Sequence, residues 1–372
     1  MASDWTGANT GLPLRTPHLD RLAERGVRLT TVVASAHCAV ARLPGGQQEY
    51  ERCGVLATSA TTPLEQTTSY TLLRGRATTR DGLRQTRPSQ GHAGLGSGRA
   101  QAPARVGASA AASTRASGTP CAAVPARPRD PYMAHLHQRG LAAAHVDDFA
   151  RRRNFAATFP TPLPDDAYCD NWIGQNGLTL LRRAPRGKPW HLVVNFTGPH
   201  EPMDVTPGMA RRWRGIDFPQ PRGCRHFDVP THVAIRQNYA AMIENIDRWT
   251  GLFIRELRQR RKLDRTLIMF SSDHGEMLGD HNRWGKSVPW HESVGVPLVA
   301  AGPGVEQGVV SDALVSLMDL AATFLDFGGV AAPREMDSRS LRPLLAGRTG
   351  NTATLSGLAW AGGAWCGMAS SS

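Results

Sequence analysis

An α/β fold, built on a mostly parallel sheet with helices on both faces, is predicted by three features of the 372-residue sequence. Two of them are short apolar runs that stop on polar clusters: LIMF at 267–270, followed by SSDHG, and HLVVNF at 191–196, followed by TGPH. Runs without polar alternation match strands buried on both faces of a parallel sheet. In open α/β sheets, ligands gather just beyond the carboxyl ends of the strands, where such clusters emerge. The third feature lies between the runs. Over 236–263, Tyr239, Met242, Ile246, Trp249, Phe253 and Leu257 step by three and four along one helical face. These six are expected in the core, with Glu244, Asp247, Arg255 and Arg258 on solvated faces. The two strand ends are expected at one edge of the sheet, bringing His200 to Asp273 and His274.

The remaining elements follow in order. TPHLDRLAERG at 16–26 predicts a helix with Thr16 as cap, Pro17 in the first turn, Leu19, Leu22 and Ala23 at helical spacing, and Gly26 as its end. A strand over 29–33 is expected next. Residues 81–130 contain no Ile, Phe, Trp, Tyr, Met, Lys, Glu or Asn. Such a stretch cannot bury enough apolar surface to offset its ordering entropy, so it reads as a disordered insertion or as GC-rich DNA translated in a shifted frame. Order returns near 131 with a helix and turn, Asp147 and Asp148 being solvated, and a further helix over 172–181. Beyond 298, residues 315–327 predict an amphipathic helix, and 348–372 is Gly/Ala/Ser-rich. The expected organisation is 1–56 and 131–347 as two parts of one domain, 57–130 as the low-complexity segment and 348–372 as an unstructured tail.

The totals narrow the function. Net charge is +12, but of 43 basic residues only Lys188, Lys262 and Lys286 are lysine, and no basic stripe interleaves with aromatics. Nucleic acid is therefore not an expected partner. Six scattered cysteines without a CxxC pair indicate neither a zinc site nor a disulfide framework. No run is long enough for a membrane span, and MASDWTGANTGLPLR has no apolar signal core. The sequence as written is expected in the cytoplasm, although a leader upstream of it would change that.

Chemistry concentrates after 270. An acid, an imidazole and a permissive glycine in a row (Asp273, His274, Gly275) can set two metal ligands side by side. Lys286 follows at loop distance, a point charge suited to an anionic oxygen. Alone, the cluster would sooner read as a polar turn capping a strand.

The block SSDHGEMLGDH, then Lys286, then HESVGVPL, closely resembles the second signature of the sulfatase family, in the alkaline-phosphatase-like α/β superfamily. TPHLDRL and ASAHCAVARLPGG resemble the segments around that family's nucleophile, and TGPHEP resembles its Pro-His-x-Pro loop. The resemblance implies Asp273 and His274 as ligands of a divalent metal, Ca2+ or alternatively Mn2+, and Lys286 and His200 as contacts to the sulfate. It makes His200 the proton donor to the leaving oxygen. It implies Cys38 as the nucleophile after oxidation to formylglycine by a formylglycine-generating enzyme, Cys38 then also facing the metal, and Arg42 as charge support. Read without the family, Cys38 is an ordinary buried thiol and His200 a loop histidine. Val40 and Ala41 stand where the family has proline and serine, and no Gly-Lys-Trp-His block occurs. One acid, Asp4, precedes the TPHLDRL block, where the family has an aspartate pair. The implied substrate is a small-molecule sulfate ester. The alternatives are a phosphonate or phosphodiester hydrolase of the same superfamily, or an inactive remnant.

Overall fold

The computed structural model describes residues 1–9, 11–34, 69, 72–73, 131–334, 336 and 338–348, with the backbone of 358–360 and 363–365. Cys38 and Arg42 lie outside the described residues, as does the 81–130 segment. In chain order the described elements are α1 (Pro17–Glu24), β1 (Val27–Leu29), β2 (Val32–Val33), α2 (Pro131–Gln138), α3 (Ala142–Arg151), α4 (Cys169–Arg183), α5 (Pro207–Trp213) and α6 (Val229–Gln259). They continue with β3 (Ile268–Ser271), α7 (His291–Val294), β4 (Leu298–Ala301), β5 (Val309–Ser311), β6 (Val315–Ser316), α8 (Asp319–Phe327), α9 (Arg342–Leu345), β7 (Leu358–Trp360) and β8 (Gly363–Trp365). The chain divides into two compact units that interleave along the sequence. Residues 1–34, 217–232 and those from 257 onward form the first, and 131–216 with 233–256 form the second.

The first unit holds a four-stranded sheet in the order β3-β4-β1-β5. β1 runs antiparallel to β4, with Val27 opposite Ala300, and parallel to β5, with Val27 opposite Val309. β3 is antiparallel to β4, and β2 pairs in parallel with β6. The α/β class is as expected, but the pairings among the described strands are mixed where a mostly parallel sheet was predicted. The reason is simple: an apolar run reports burial, not the direction of its neighbour.

The core of this unit is aliphatic. Val27, Leu29, Val32, Val296, Leu298, Ala300, Val315, Leu317, Leu341 and Leu345 are all buried together. α1 buries Leu19 and Leu22 and starts at Pro17, as its pattern predicts. Thr16 does not cap with its side chain. Its hydroxyl instead donates to Asp20 Oδ1 at 2.9 Å and accepts the Gly7 N–H at 2.7 Å. At Gly26 a Cβ would stand 2.0 Å from the Ala300 carbonyl oxygen, so only a glycine lets the chain turn from α1 into β1 there. The predicted 315–327 helix divides into β6 and α8. Within 348–372, expected to be unstructured, β7 pairs antiparallel with β8.

The second unit is helical. Tyr132, Met133 and Leu136 of α2, Ala142 of α3, and Cys169 and Ile173 of α4 form its core with Leu163 and Ala167. The 191–196 run, predicted as a strand, is assigned neither strand nor helix. Its side chains still follow the apolar logic, because Val194 and Phe196 pack onto the helical core. α4 and the central part of α6 approach closely at Gly174, where a Cβ would meet the Trp249 ring at 2.2 Å. The Trp249 indole N–H donates to Asn171 Oδ1 at 2.7 Å across the same contact.

Two acids expected in solvent are buried. Asp247 is 2% exposed. Asp148 is fully covered and pairs with Arg152 one helical turn on, Nε to Oδ2 at 2.9 Å and Nη2 to Oδ1 at 3.2 Å. Arg152 also donates to the carbonyls of Ala157 and Phe159. The i,i+4 spacing on α3 brings the pair together, and the guanidinium satisfies the carbonyls of the turn that follows. Among the described residues no helix is long and apolar enough to cross a membrane.

Candidate active site

The first unit presents Asp273 and His274 just past the carboxyl end of β3. The chain leaves the strand through hydrogen bonds of its own polar residues. The Ser271 hydroxyl donates to the Pro297 carbonyl at 2.8 Å, and the Ser272 hydroxyl donates to the His274 carbonyl at 2.9 Å. The α-ammonium of Met1 donates to Ser272 Oγ and to the His274 carbonyl, each at 2.7 Å. Gly275 N–H then donates to the Ser293 carbonyl and Glu276 N–H to the Glu292 carbonyl, both at 2.7 Å. Gly275 is needed here for close approach rather than for a left-handed backbone: a Cβ would lie 2.0 Å from Glu292 O.

His274 is 6% exposed. Its Nδ1 lies 2.7 Å from the Gly275 carbonyl, which can only accept, so Nδ1 carries a proton and donates it. Nε2 lies 3.6 Å from Asp273 Oδ2. Burial pushes the imidazole pKa down to about 4, against the pull of the Asp273 carboxylate and with help from the Lys286 charge. At neutral pH the ring is therefore uncharged, with its Nε2 lone pair beside a carboxylate oxygen. That is a nitrogen and an oxygen donor suited to a divalent cation. It is an incomplete set, for no group of three or more His, Cys, Asp or Glu able to hold a metal occurs among the described residues, whereas calcium takes six to eight oxygens.

Lys286 arrives on the loop after this pair. Glu276, 5% exposed, ties that loop down by accepting the Gly285 N–H at 2.7 Å and the Leu278 N–H at 3.3 Å on Oε1. Leu278, His281, Asn282 and Ser287 all hold positive φ, at 46°, 55°, 59° and 76°. Each left-handed non-glycine residue costs about 1–3 kcal/mol, so the strain is concentrated on the stretch that presents the lysine. Asp4 engages His291, with Oδ1 3.4 Å from Nε2, and the hydrogen bond between them holds the His291 pKa above its ordinary value.

His200 belongs to the second unit, in the turn that ends the 191–196 run, where its N–H donates to the Thr197 carbonyl at 3.2 Å. Its Nδ1 lies 2.7 Å from the Glu201 carbonyl and 3.0 Å from the Glu201 carboxylate. A carbonyl and a carboxylate both require Nδ1 to be the protonated nitrogen, which assigns Nε2 to any exchange with substrate. Asp273 and Lys286 thus both act on His274 within the first unit, and His200 stands in the second.

The sequence reading missed Glu276, Glu201 and Asp170. Asp170 had a legible signal: with Ile173, Gly174, Gly177, Leu178 and Leu181 it lies on the buried stripe of α4, an acid at an apolar phase.

Sequence comparison defines the family of the chain. A profile described as Sulfatase matches residues 129–330, and the chain belongs to the sulfatase family. Among curated relatives, the arylsulfatase of Clostridium perfringens is 29% identical over 239 residues, covering 58% of this chain and 50% of that protein. Human arylsulfatase K is 37% identical over 110 residues, which is 30% of this chain and 20% of that one. The chain thus spans half or less of these relatives' length. Among solved structures, the phosphonate monoester hydrolase of Silicibacter pomeroyi superposes with a TM-score of 0.69 at 20% identity, over 92% of this chain and 74% of that one. The structure of BT4656 in complex with D-glucosamine-2-N,6-O-disulfate gives 0.66 at 16% identity, covering 95% and 79%. Both share the alkaline-phosphatase and sulfatase type of fold.

Proposed function

We propose that the chain is a sulfatase-type hydrolase of small-molecule sulfate esters, using a divalent cation and a formylglycine made from Cys38 by a formylglycine-generating enzyme. The observation that carries this reading is the Asp273 carboxylate held 3.6 Å from the uncharged Nε2 of buried His274, with Lys286 close enough to act on the ring. Asp273 and His274 would hold the cation, which when bound supplies positive charge to a sulfate oxygen and to the nucleophile. Formylglycine supplies an oxygen nucleophile in place of a thiol.

The remaining steps fall to the chain's own residues. Lys286 offsets the charge of the sulfate oxygens as the S–O bond breaks. His200, its Nδ1 proton held by Glu201, delivers a proton from Nε2 to the departing oxygen. Arg42, four residues after Cys38, supports the charge at the nucleophile. Without a Gly-Lys-Trp-His block, turnover is expected to be slow, since each lost charge contact in such a site costs on the order of a hundredfold.

Hydrolysis of a phosphonate monoester is the second reading, supported by the likeness of fold to the Silicibacter pomeroyi enzyme. The test supplies 4-nitrophenyl sulfate and 4-nitrophenyl phenylphosphonate to protein coexpressed with a formylglycine-generating enzyme, with calcium and manganese in turn. Conversion of Cys38 is followed by mass spectrometry. Faster release from the sulfate supports the first reading, and faster release from the phosphonate overturns it in favour of the second. Neither release above a Cys38→Ala blank, with Cys38 converted, would leave the remnant.

A further inference from the structure

We infer that Asp170 is the positioning residue of the proton-transfer arm, a buried carboxylate that sets where His200 stands. Asp170 lies in the first turn of α4 and its side chain is fully covered, at 0% exposure. Three donors converge on it, and all come from the turn that carries His200. Oδ1 accepts the Thr197 N–H at 2.7 Å and the Thr197 hydroxyl at 2.8 Å, and Oδ2 accepts the Gly198 N–H at 2.9 Å. Donors directed at both oxygens of one carboxylate fix a backbone segment in position and orientation.

The clamp reaches His200 by a short path. Thr197, doubly bound to Asp170, accepts the His200 N–H on its own carbonyl at 3.2 Å. Gly198 leaves no slack, because a Cβ on it would stand 2.4 Å from Asp170 Oδ2. The segment before this turn, 191–196, pairs with no strand among the described residues; Val194 and Phe196 pack on the helical core, and this carboxylate holds the turn that follows. Beyond the turn, Glu201 holds the ring through Nδ1. Backbone position thus comes from Asp170 and ring orientation from Glu201. A charge this deep is costly unless its donors are held in place, and the Thr197 and Gly198 donors that meet it belong to the turn that carries His200.

The role of the turn rests on the proposed function of His200 as acid to the leaving oxygen, so the test reads both parts separately. In the whole chain, Asp170→Asn keeps the shape but turns one acceptor into a donor facing an N–H. The first readout needs no turnover: hydrogen exchange at the Thr197 and Gly198 amides, and the His200 ring resonance by NMR. Loss of a charge-assisted bond is expected to speed exchange at those amides about tenfold or more, with the ring resonance displaced and the rest of α4 unchanged. The second readout is hydrolysis of 4-nitrophenyl sulfate against phenyl sulfate. A poorer leaving group needs the proton more, so Asp170→Asn should lower kcat on phenyl sulfate by about a hundredfold and on the nitrophenyl ester much less, with KM little changed. In His200→Ala background the same substitution should add nothing, and Asp170→Glu, which keeps the charge, should recover part of the loss.

Unchanged exchange and an unmoved ring in a folded Asp170→Asn protein overturn the inference. A moved ring with no dependence on leaving group, and no loss in His200→Ala, upholds the positioning by Asp170 and overturns the reading of His200 as the acid. Should Asp170→Asn fail to fold, Thr197→Val removes only the hydroxyl donor and is read in the same two ways.

Discussion

Replacing Gly275 by alanine tests how the metal-binding corner is held. A Cβ there would stand 2.0 Å from Glu292 O, 2.9 Å from Glu292 C and 3.1 Å from Ser293 O. Those are backbone atoms, which cannot rotate away as a side-chain tip could. Relief requires the chain at 275 or at 292 to shift by about 1 Å, since non-bonded carbon and oxygen rarely come closer than about 3 Å. The same two strands of chain are joined by Gly275 N–H to Ser293 O and Glu276 N–H to Glu292 O, both at 2.7 Å. Each such bond contributes about 1 kcal/mol net, and a buried donor left without its acceptor costs about 1–3 kcal/mol. Alanine gains back about 0.4–1 kcal/mol from the stiffer unfolded chain. The balance is a loss of about 2–4 kcal/mol, read as a lower urea midpoint at unchanged m-value. Gly187→Ala is the control, since nothing lies within 4 Å of its Cβ, and it should stay within about 0.5 kcal/mol of the parent. Equal stability of the two variants would refute the argument.

Three further outcomes follow from the same structure. Asp148→Ala strands the fully covered Arg152 guanidinium and should destabilise the protein by about 3–5 kcal/mol, whereas the paired change to Asp148→Leu with Arg152→Met should be far milder. If the single change costs no more than the double in urea unfolding, the pair is not what holds that turn. For His274, the folded pKa of about 4 lies below the ordinary 6.5. The unfolded chain therefore takes up the proton first as pH falls, so the stability present above 6.5 drains away between about 6.5 and 4. His274→Gln should flatten that part of the pH–stability curve of the metal-free protein, and an unaltered curve would place the titrating group elsewhere. Asp273→Ala should abolish calcium and manganese binding measured by calorimetry, and unchanged affinity would make Asp273 a surface acid.

Much of this was legible in the sequence, and the failures have physical causes. The 236–263 pattern located α6 because six large apolar residues at helical spacing leave no other way to bury them. The LIMF run located β3 to within one residue. Strand direction was not readable from that run, since antiparallel pairing with β4 buries the same side chains. HLVVNF failed as a strand because Val194 and Phe196 found their burial against helices instead. Asp148 and Asp247 were misplaced by treating acids as solvated, and Arg152 four residues after Asp148 was the signal against it. The candidate site divides the same way. Asp273, His274, Lys286 and His200 carried motifs, whereas the residues that hold them do so through space. Glu276 reaches a backbone N–H nine residues on, and Asp170 reaches amides 27 and 28 residues away, separations that leave no local pattern.

The measurement that bears most directly on the account is hydrolysis of 4-nitrophenyl sulfate by protein in which mass spectrometry has verified conversion of Cys38, run beside Cys38→Ala and Asp273→Ala with calcium or manganese present. The account predicts slow release of nitrophenol that disappears in both variants. Release that persists unchanged in Cys38→Ala or in Asp273→Ala would contradict it.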